Sequence, residues 1–177
     1  VPEFLSEPSQ LLQCHLQASI ALREANYAEA ARLLGEAEVL RPQLSGELNG
    51  TAFDDFRDVD DLTASFFEVT TSNGKYFWIE TGAVETMSFA PPKRPRDLIW
   101  RQVDVDVNDG PSGAVFIPAI YSPPPGELDP AFSLGRQTDW LGPDSGPIRG
   151  VGQRSFLAGE ELVPIMQIET LTFAQKA

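Results

Sequence analysis

Phe66-Phe67-Glu68-Val69-Thr70-Thr71-Ser72-Asn73-Gly74-Lys75-Tyr76-Phe77-Trp78-Ile79-Glu80 is the stretch whose reading decides the fold. Two runs rich in aromatic and β-branched residues flank Asn73-Gly74. An Asn-Gly pair supplies the positive φ values that a tight primed turn needs, so the stretch predicts a β-hairpin. Downstream, strands are predicted over residues 84–89, 97–107 and 114–121, with Asp109-Gly110-Pro111-Ser112-Gly113 as the turn between the last two. Val103-Asp104-Val105-Asp106-Val107 alternates with period two, so one face is buried and the other wet. Residues 121–130 read as a proline-rich loop, 129–140 as holding a short helix, and 162–173 as strand, with Pro164 marking an edge or a bend. An antiparallel sheet is expected.

Upstream of the hairpin the period changes. Leu12, Leu16 and Ile20 recur every four residues, and after a break at Ala25-Asn26 the set Tyr27, Ala30, Ala31, Leu34 and Ala37 does the same. Two amphipathic helices are predicted, the second closed by Arg41-Pro42 because the residue before proline leaves the helical region. The short break folds them into an antiparallel hairpin, and Ala28, Ala30 and Ala31 allow the close approach of a tetratricopeptide-like pair. One such pair cannot bury its own faces, so it must pack on something. Ser45-Gly46-Glu47-Leu48-Asn49-Gly50 reads as linker. The expected organisation is α+β: residues 1–44 as a tetratricopeptide-like helical hairpin ending a longer helical repeat region, then residues 45–177 as a mainly antiparallel β-rich domain.

Composition narrows the function classes. The formal charge of −13, from 26 acidic against 13 basic residues, opposes the phosphate neutralisation behind nucleic-acid affinity and disfavours anionic membrane surfaces. A single cysteine, Cys14, rules out an internal disulfide framework and fits a reducing compartment. No apolar run approaches the ~20 residues that span a bilayer, and no signal-peptide pattern is present, so the chain reads as cytoplasmic. It begins Val1-Pro2-Glu3 rather than with Met, as the remainder of a longer chain would.

Catalytic constellations are scarce. Cys14 and His15 are neighbours on a helix and point about 100° apart, so they do not pair as nucleophile and base. With one histidine there is no His-rich metal site. Asp58 and Asp60 could present oxygens to a hard cation, and with Asp129 or Asp139 they frame the alternative of a metal-dependent hydrolase. The calcium-loop pattern is nevertheless unmet, and no metal or cofactor is expected. Gly150-Val151-Gly152 lacks the strand and helix frame of a phosphate loop. Arginine and aspartate recur beside tryptophan twice, at Arg94, Arg96, Asp97, Trp100 and at Arg136, Asp139, Trp140. These sets read as bidentate ion pairs roofed by indoles or as an interface hot spot.

Five stretches in order, Gly74-Lys75-Tyr76-Phe77-Trp78-Ile79, Pro95-Arg96-Asp97-Leu98-Ile99-Trp100, Ile117-Pro118-Ala119-Ile120-Tyr121, Arg136-Gln137-Thr138-Asp139-Trp140 and Gly152-Gln153-Arg154, resemble the ImpE/TagJ family, the SciE-type virulence proteins. The resemblance implies a non-enzymatic accessory protein of the bacterial type VI secretion system. It implies a tetratricopeptide-like helical part, with further helices ahead of Val1, and a β-rich part. It further implies contact with the N-terminal helix of the small contractile-sheath subunit and a link to the ClpV ATPase. Leu12, Leu16, Tyr27, Arg96, Trp100, Arg136, Trp140 and Arg154 are the candidate partner-binding residues, with helix-in-groove recognition as the mode. A purely scaffolding, self-associating protein is the remaining alternative.

Overall fold

The computed structural model describes residues 2–123, 129–142 and 146–174. Ser9 caps the first helix by accepting from the Leu12 amide at 3.2 Å, and α1 runs Gln10–Arg23. Ala25, at φ 56, reverses the chain, Asn26 caps the second helix through the Glu29 amide at 3.3 Å, and α2 runs Tyr27–Leu40. Then come β1 (Gly46–Leu48), β2 (Thr51–Phe53), β3 (Phe56–Asp58), β4 (Phe66–Thr71), β5 (Tyr76–Glu80), β6 (Val84–Phe89), β7 (Trp100–Val107) and β8 (Ser112–Pro118). A one-turn helix α3 (Pro130–Ser133) precedes β9 (Thr138–Leu141), β10 (Arg149–Gly152), β11 (Ser155–Ala158), β12 (Glu161–Pro164) and β13 (Thr170–Phe173).

One eight-stranded antiparallel sheet, ordered β2-β1-β13-β6-β7-β8-β4-β5, dominates the molecule. A three-stranded sheet β12-β11-β3 and a ribbon β10-β9 complete it. The alternation read in β7 is real: Val103, Val105 and Val107 are buried while Asp104 and Asp106 face water. Large side chains from both sheets fill the space between them. Phe56 stacks on Phe156 at 5.2 Å between ring centroids, and Phe53, Phe67 and Phe173 pack around that pair.

The fold class needs a correction. A tetratricopeptide-like hairpin ending a helical array was expected, but among the described residues α1 and α2 are the two substantial helices in a fold built on the eight-stranded sheet. The physical reason lies in what their apolar faces meet. Leu12 packs with Phe66 of β4 and Trp78 of β5, and the His15 ring stands edge-on to Phe66 at 5.3 Å. The face that a repeat would offer to the next helical pair is thus spent on sheet aromatics. Of the small residues read as allowing close approach, Ala30 is buried, Ala31 half-buried and Ala28 exposed; Ala18 and Ala37 are buried as well.

Turn chemistry differs as well. The β4–β5 hairpin forms, with Phe67 opposite Ile79 and Thr70 opposite Tyr76. Its turn is not primed: only Gly74, at φ 84, is left-handed, and the Gly74 and Thr71 amides close a longer loop onto Thr71 O at 3.0 Å and Lys75 O at 2.9 Å. The stretch read as linker holds the tight primed turn instead. Asn49 and Gly50 sit at φ 50 and 80 between paired Leu48 and Thr51. Asn49 is committed to that conformation because its side chain accepts from the Glu169 and Thr170 amides at 2.7 and 3.0 Å and donates to the Gln167 carbonyl at 2.8 Å.

Candidate functional site

Polar groups converge where the two sheets and the β8–α3 segment meet. Arg154, just before β11, is 2% exposed. Its Nη1 donates to Asp58 Oδ2 at 2.8 Å, Nη2 to Glu68 Oε2 at 2.6 Å and Nε to the Pro118 carbonyl at 3.0 Å. The Tyr121 ring covers the guanidinium at 5.1 Å, and Tyr121 Oη donates to Asp58 Oδ1 at 2.6 Å while accepting from the Ser155 amide at 3.0 Å. Thr63 Oγ1 donates to Asp58 Oδ2 at 2.9 Å. On the other side, Glu68 accepts from Tyr76 Oη at 2.6 Å, which accepts from Trp78 Nε1 at 2.7 Å. Asp60 extends the network by accepting from Arg149 Nε at 2.9 Å and from the Gly150 and Leu62 amides at 2.8 Å.

Electrostatics follow from burial. Loss of water pushes the Asp58 carboxyl up to about 6, against the pull of Arg154, and Asp60 beside it adds to the rise. The Tyr121 hydroxyl is pushed upward by burial and by Asp58. Every oxygen of Asp58 and Asp60 is already engaged, so this cluster holds the sheets together and leaves no open face for a substrate or a hard cation. That removes the geometry on which the hydrolase alternative rested: Asp58 and Asp60 are buried against arginines, while Asp129 and Asp139 are exposed and accept from the neighbouring Ala131 and Trp140 amides. Among the described residues no group of three His, Cys, Asp or Glu side chains is placed to hold a metal ion.

The candidate partner-binding residues fall into three settings. Leu12 and Arg154 are interior, and Leu16 is half-buried against the Phe66 and Trp78 cluster. Tyr27 stands 49% exposed at the start of α2, where Ile20 of α1 is exposed too. Arg96, Trp100 and Arg136 face solvent, and Trp140 is half-buried with its ring edge-on to Tyr121 at 5.9 Å. At Asp97 the ion pairs form, but they are long: Arg94 Nε and Arg96 Nε stand 3.6 and 3.7 Å from Oδ1. Its Oδ2 accepts from the Lys93 and Arg94 amides, both at 2.9 Å, and Arg136 makes no ion pair among the described residues. The buried pairs of this chain were set by long-range folding: Arg154 lies 96 residues from Asp58 and Arg149 lies 89 from Asp60. No local spacing signals either.

A second feature escaped the sequence. His15 is 1% exposed, and neither ring nitrogen has a hydrogen-bond partner. Burial lowers its pKa to about 4; the nearby Leu62 carbonyl pulls the other way but outside bonding geometry. The ring borders a cavity of about 270 Å³ lined also by Leu34, Gly35, Glu38, Arg57 and Asp61. No helix among the described residues is long and apolar enough to cross a membrane.

Comparison with known proteins adds to this geometry. The family described as "ImpE protein" matches residues 50–172. The type VI secretion system accessory component TagJ of Pseudomonas aeruginosa (strain PAO1) is 30% identical over 173 residues, covering 97% of this chain. The chain spans 59% of that relative's length. The crystal structure of protein VPA1032 from Vibrio parahaemolyticus superposes with a TM-score of 0.89 at 25% identity, over 99% of this chain and 65% of that one.

Proposed function

This chain belongs to the ImpE family, and from that premise we propose that it is an accessory component of the bacterial type VI secretion system that works by binding in the cytoplasm rather than by catalysis. The observation that carries this is the 30% identity to TagJ across 97% of the chain. Its partner is the N-terminal helix of the small contractile-sheath subunit, and through the sheath its action is linked to the ClpV ATPase. Helical residues 1–44 present the contact surface and β-rich residues 45–177 hold it in place. On that surface exposed Tyr27 is the anchor, and half-buried Leu16 contributes where Leu12 fastens α1 to Phe66 and Trp78. An amphipathic helix laid there meets acidic residues at the rim, which favours a basic polar face on the partner. The excess of 26 acidic over 13 basic residues steers such a partner inward.

Calorimetric titration with a peptide carrying that sheath helix tests the reading. Saturable binding is expected, weaker at high salt and weaker by ~2 kcal/mol in a folded Tyr27→Asp protein. A folded chain that ignores the peptide contradicts it.

A further inference from the structure

Of the five stretches that carry the family resemblance, four reach the buried network: Tyr76 and Trp78, the Pro118 carbonyl and Tyr121, Trp140 on Tyr121, and Arg154. The second stretch does not. It lies in the β6–β7 loop and the first residue of β7, and apart from buried Asp97 its side chains are exposed.

This loop is held as a rigid projection. At its base the Ala90 amide donates to the Gln102 carbonyl at 3.0 Å, and the Ala119 amide donates to the Ile99 carbonyl at 2.8 Å. Buried Arg101 locks the base from below, donating to the carbonyls of Ala90, Ile165 and Ile168 at 2.8 to 3.0 Å. Pro91, Pro92 and Pro95 restrict the backbone between. Inside the turn, Asp97 spends Oδ2 on the Lys93 and Arg94 amides, and those bonds hold its carboxyl below the usual range.

What the loop displays is unlike the rest of the chain. Lys93, Arg94 and Arg96 are exposed, and the Nε atoms of Arg94 and Arg96 lie 3.6 and 3.7 Å from Asp97 Oδ1, too far to be satisfied by it. Leu98, Ile99 and Trp100 beside them are 50%, 43% and 43% exposed. Most other arginines are committed: Arg32, Arg41, Arg57, Arg149 and Arg154 all pair with carboxylates within 3.2 Å. On a protein of charge −13 this is a cationic, tryptophan-bearing projection whose arginines keep open donors beyond their long pairs with Asp97. A rigid scaffold spares the backbone-ordering cost of binding, and tryptophan and arginine are the residue types that dominate interfaces.

We infer that the β6–β7 loop is a second docking site, for a protein segment that is acidic and carries an apolar anchor. Free carboxylates on the partner answer the guanidinium groups of Arg94 and Arg96, and an aliphatic or aromatic side chain covers Trp100 and Leu98. The net negative charge of this chain disfavours a second copy of itself as the occupant and equally disfavours nucleic acid. The site is independent of the sheath-helix surface, since its partner has the opposite charge.

The test is selection from a displayed random-peptide library on the whole chain, with subtraction on the Arg94→Glu/Arg96→Glu variant. These side chains are exposed, so the variant folds; an unchanged circular dichroism melt checks this. The expected survivors are Asp- and Glu-rich with at least one Trp, Phe, Leu or Ile. Synthesised, they bind the parent chain and lose about tenfold or more with Trp100→Ala. Binding that also weakens as salt is raised completes the expectation. Survivors that are neutral or basic, no survivors after subtraction, or binding indifferent to Trp100→Ala would each overturn the proposal. Self-association of the chain abolished by Trp100→Glu would replace the acidic partner with a second copy and so overturn it too.

Discussion

The guanidinium of Arg154 sits between two carboxylates and a carbonyl, under the ring of Tyr121, with almost no contact with water. Replacing it by methionine leaves Asp58 and Glu68 without their counter-charge, and breaking one side of a buried pair costs roughly 3–5 kcal/mol. Urea denaturation of Arg154→Met should show that loss, and Arg154→Lys should recover little, because one ammonium cannot span two carboxylates and a carbonyl. Two buried groups also set opposing pH dependences. Burial raises Asp58 from 3.8 to about 6, so its contribution to stability is full below 3.8 and is lost as pH rises through 6. Burial lowers His15 from 6.5 to about 4, so its contribution is full above 6.5 and is lost as pH falls toward 4. Arg154 and Asp60 face the first group, Arg57 and Glu38 the second. Between pH 4 and 6 the two slopes oppose each other, and the parent chain should be nearly flat in these terms. Asp58→Asn should leave stability falling toward acid and His15→Phe should leave it falling toward neutral, each by roughly 2–3 kcal/mol across the window, read from urea midpoints. At neutral pH His15→Phe should also raise stability by about 1–3 kcal/mol, because two unbonded buried nitrogens disappear.

At the level of elements, the period of the apolar pattern was readable and the partner of each face was not. Leu12, Leu16 and Ile20 marked a helix correctly, but Ile20 is exposed, and the aromatic surface that Leu12 and Leu16 cover lies in β4 and β5, dozens of residues downstream, where nothing local names it. Leu12→Ala should therefore behave as a core truncation and cost about 2–5 kcal/mol, while Tyr27→Asp should change stability by under ~0.5 kcal/mol; thermal melts of the two variants separate support from surface. Turn types were legible in kind and misplaced in detail. Asn49-Gly50 and Asn73-Gly74 are the same dipeptide, yet only the first is primed, because strand pairing on both sides leaves just two residues between Leu48 and Thr51 and the Asn49 side chain is anchored at Gln167, Glu169 and Thr170. The β7 alternation, by contrast, could be read directly, since period two and burial are one statement. Arg94, Arg96 and Asp97 could be read from their spacing as an ion-paired set; what the spacing did not show is that the backbone amides of Lys93 and Arg94 take Oδ2 and leave the arginines long contacts to Oδ1.

Across the whole molecule, the family likeness was carried by stretches scattered from Gly74 to Arg154, and the fold explains their dispersal: most of them meet in one buried network that ties the eight-stranded sheet to the smaller ones. Those residues fix the shape of the chain, which is why they announce the family without marking a binding surface. The surface proposed for the sheath helix lies outside them, on the helical residues that α1 fastens to the sheet. Hydrogen exchange of the chain, alone and with the small sheath subunit, tests that division most directly. The account predicts added protection at amides of residues 16–31, with the already protected strands β3, β4 and β11 unchanged. Protection confined to the β-rich residues, or no change at the helices while the subunit is bound, would contradict it.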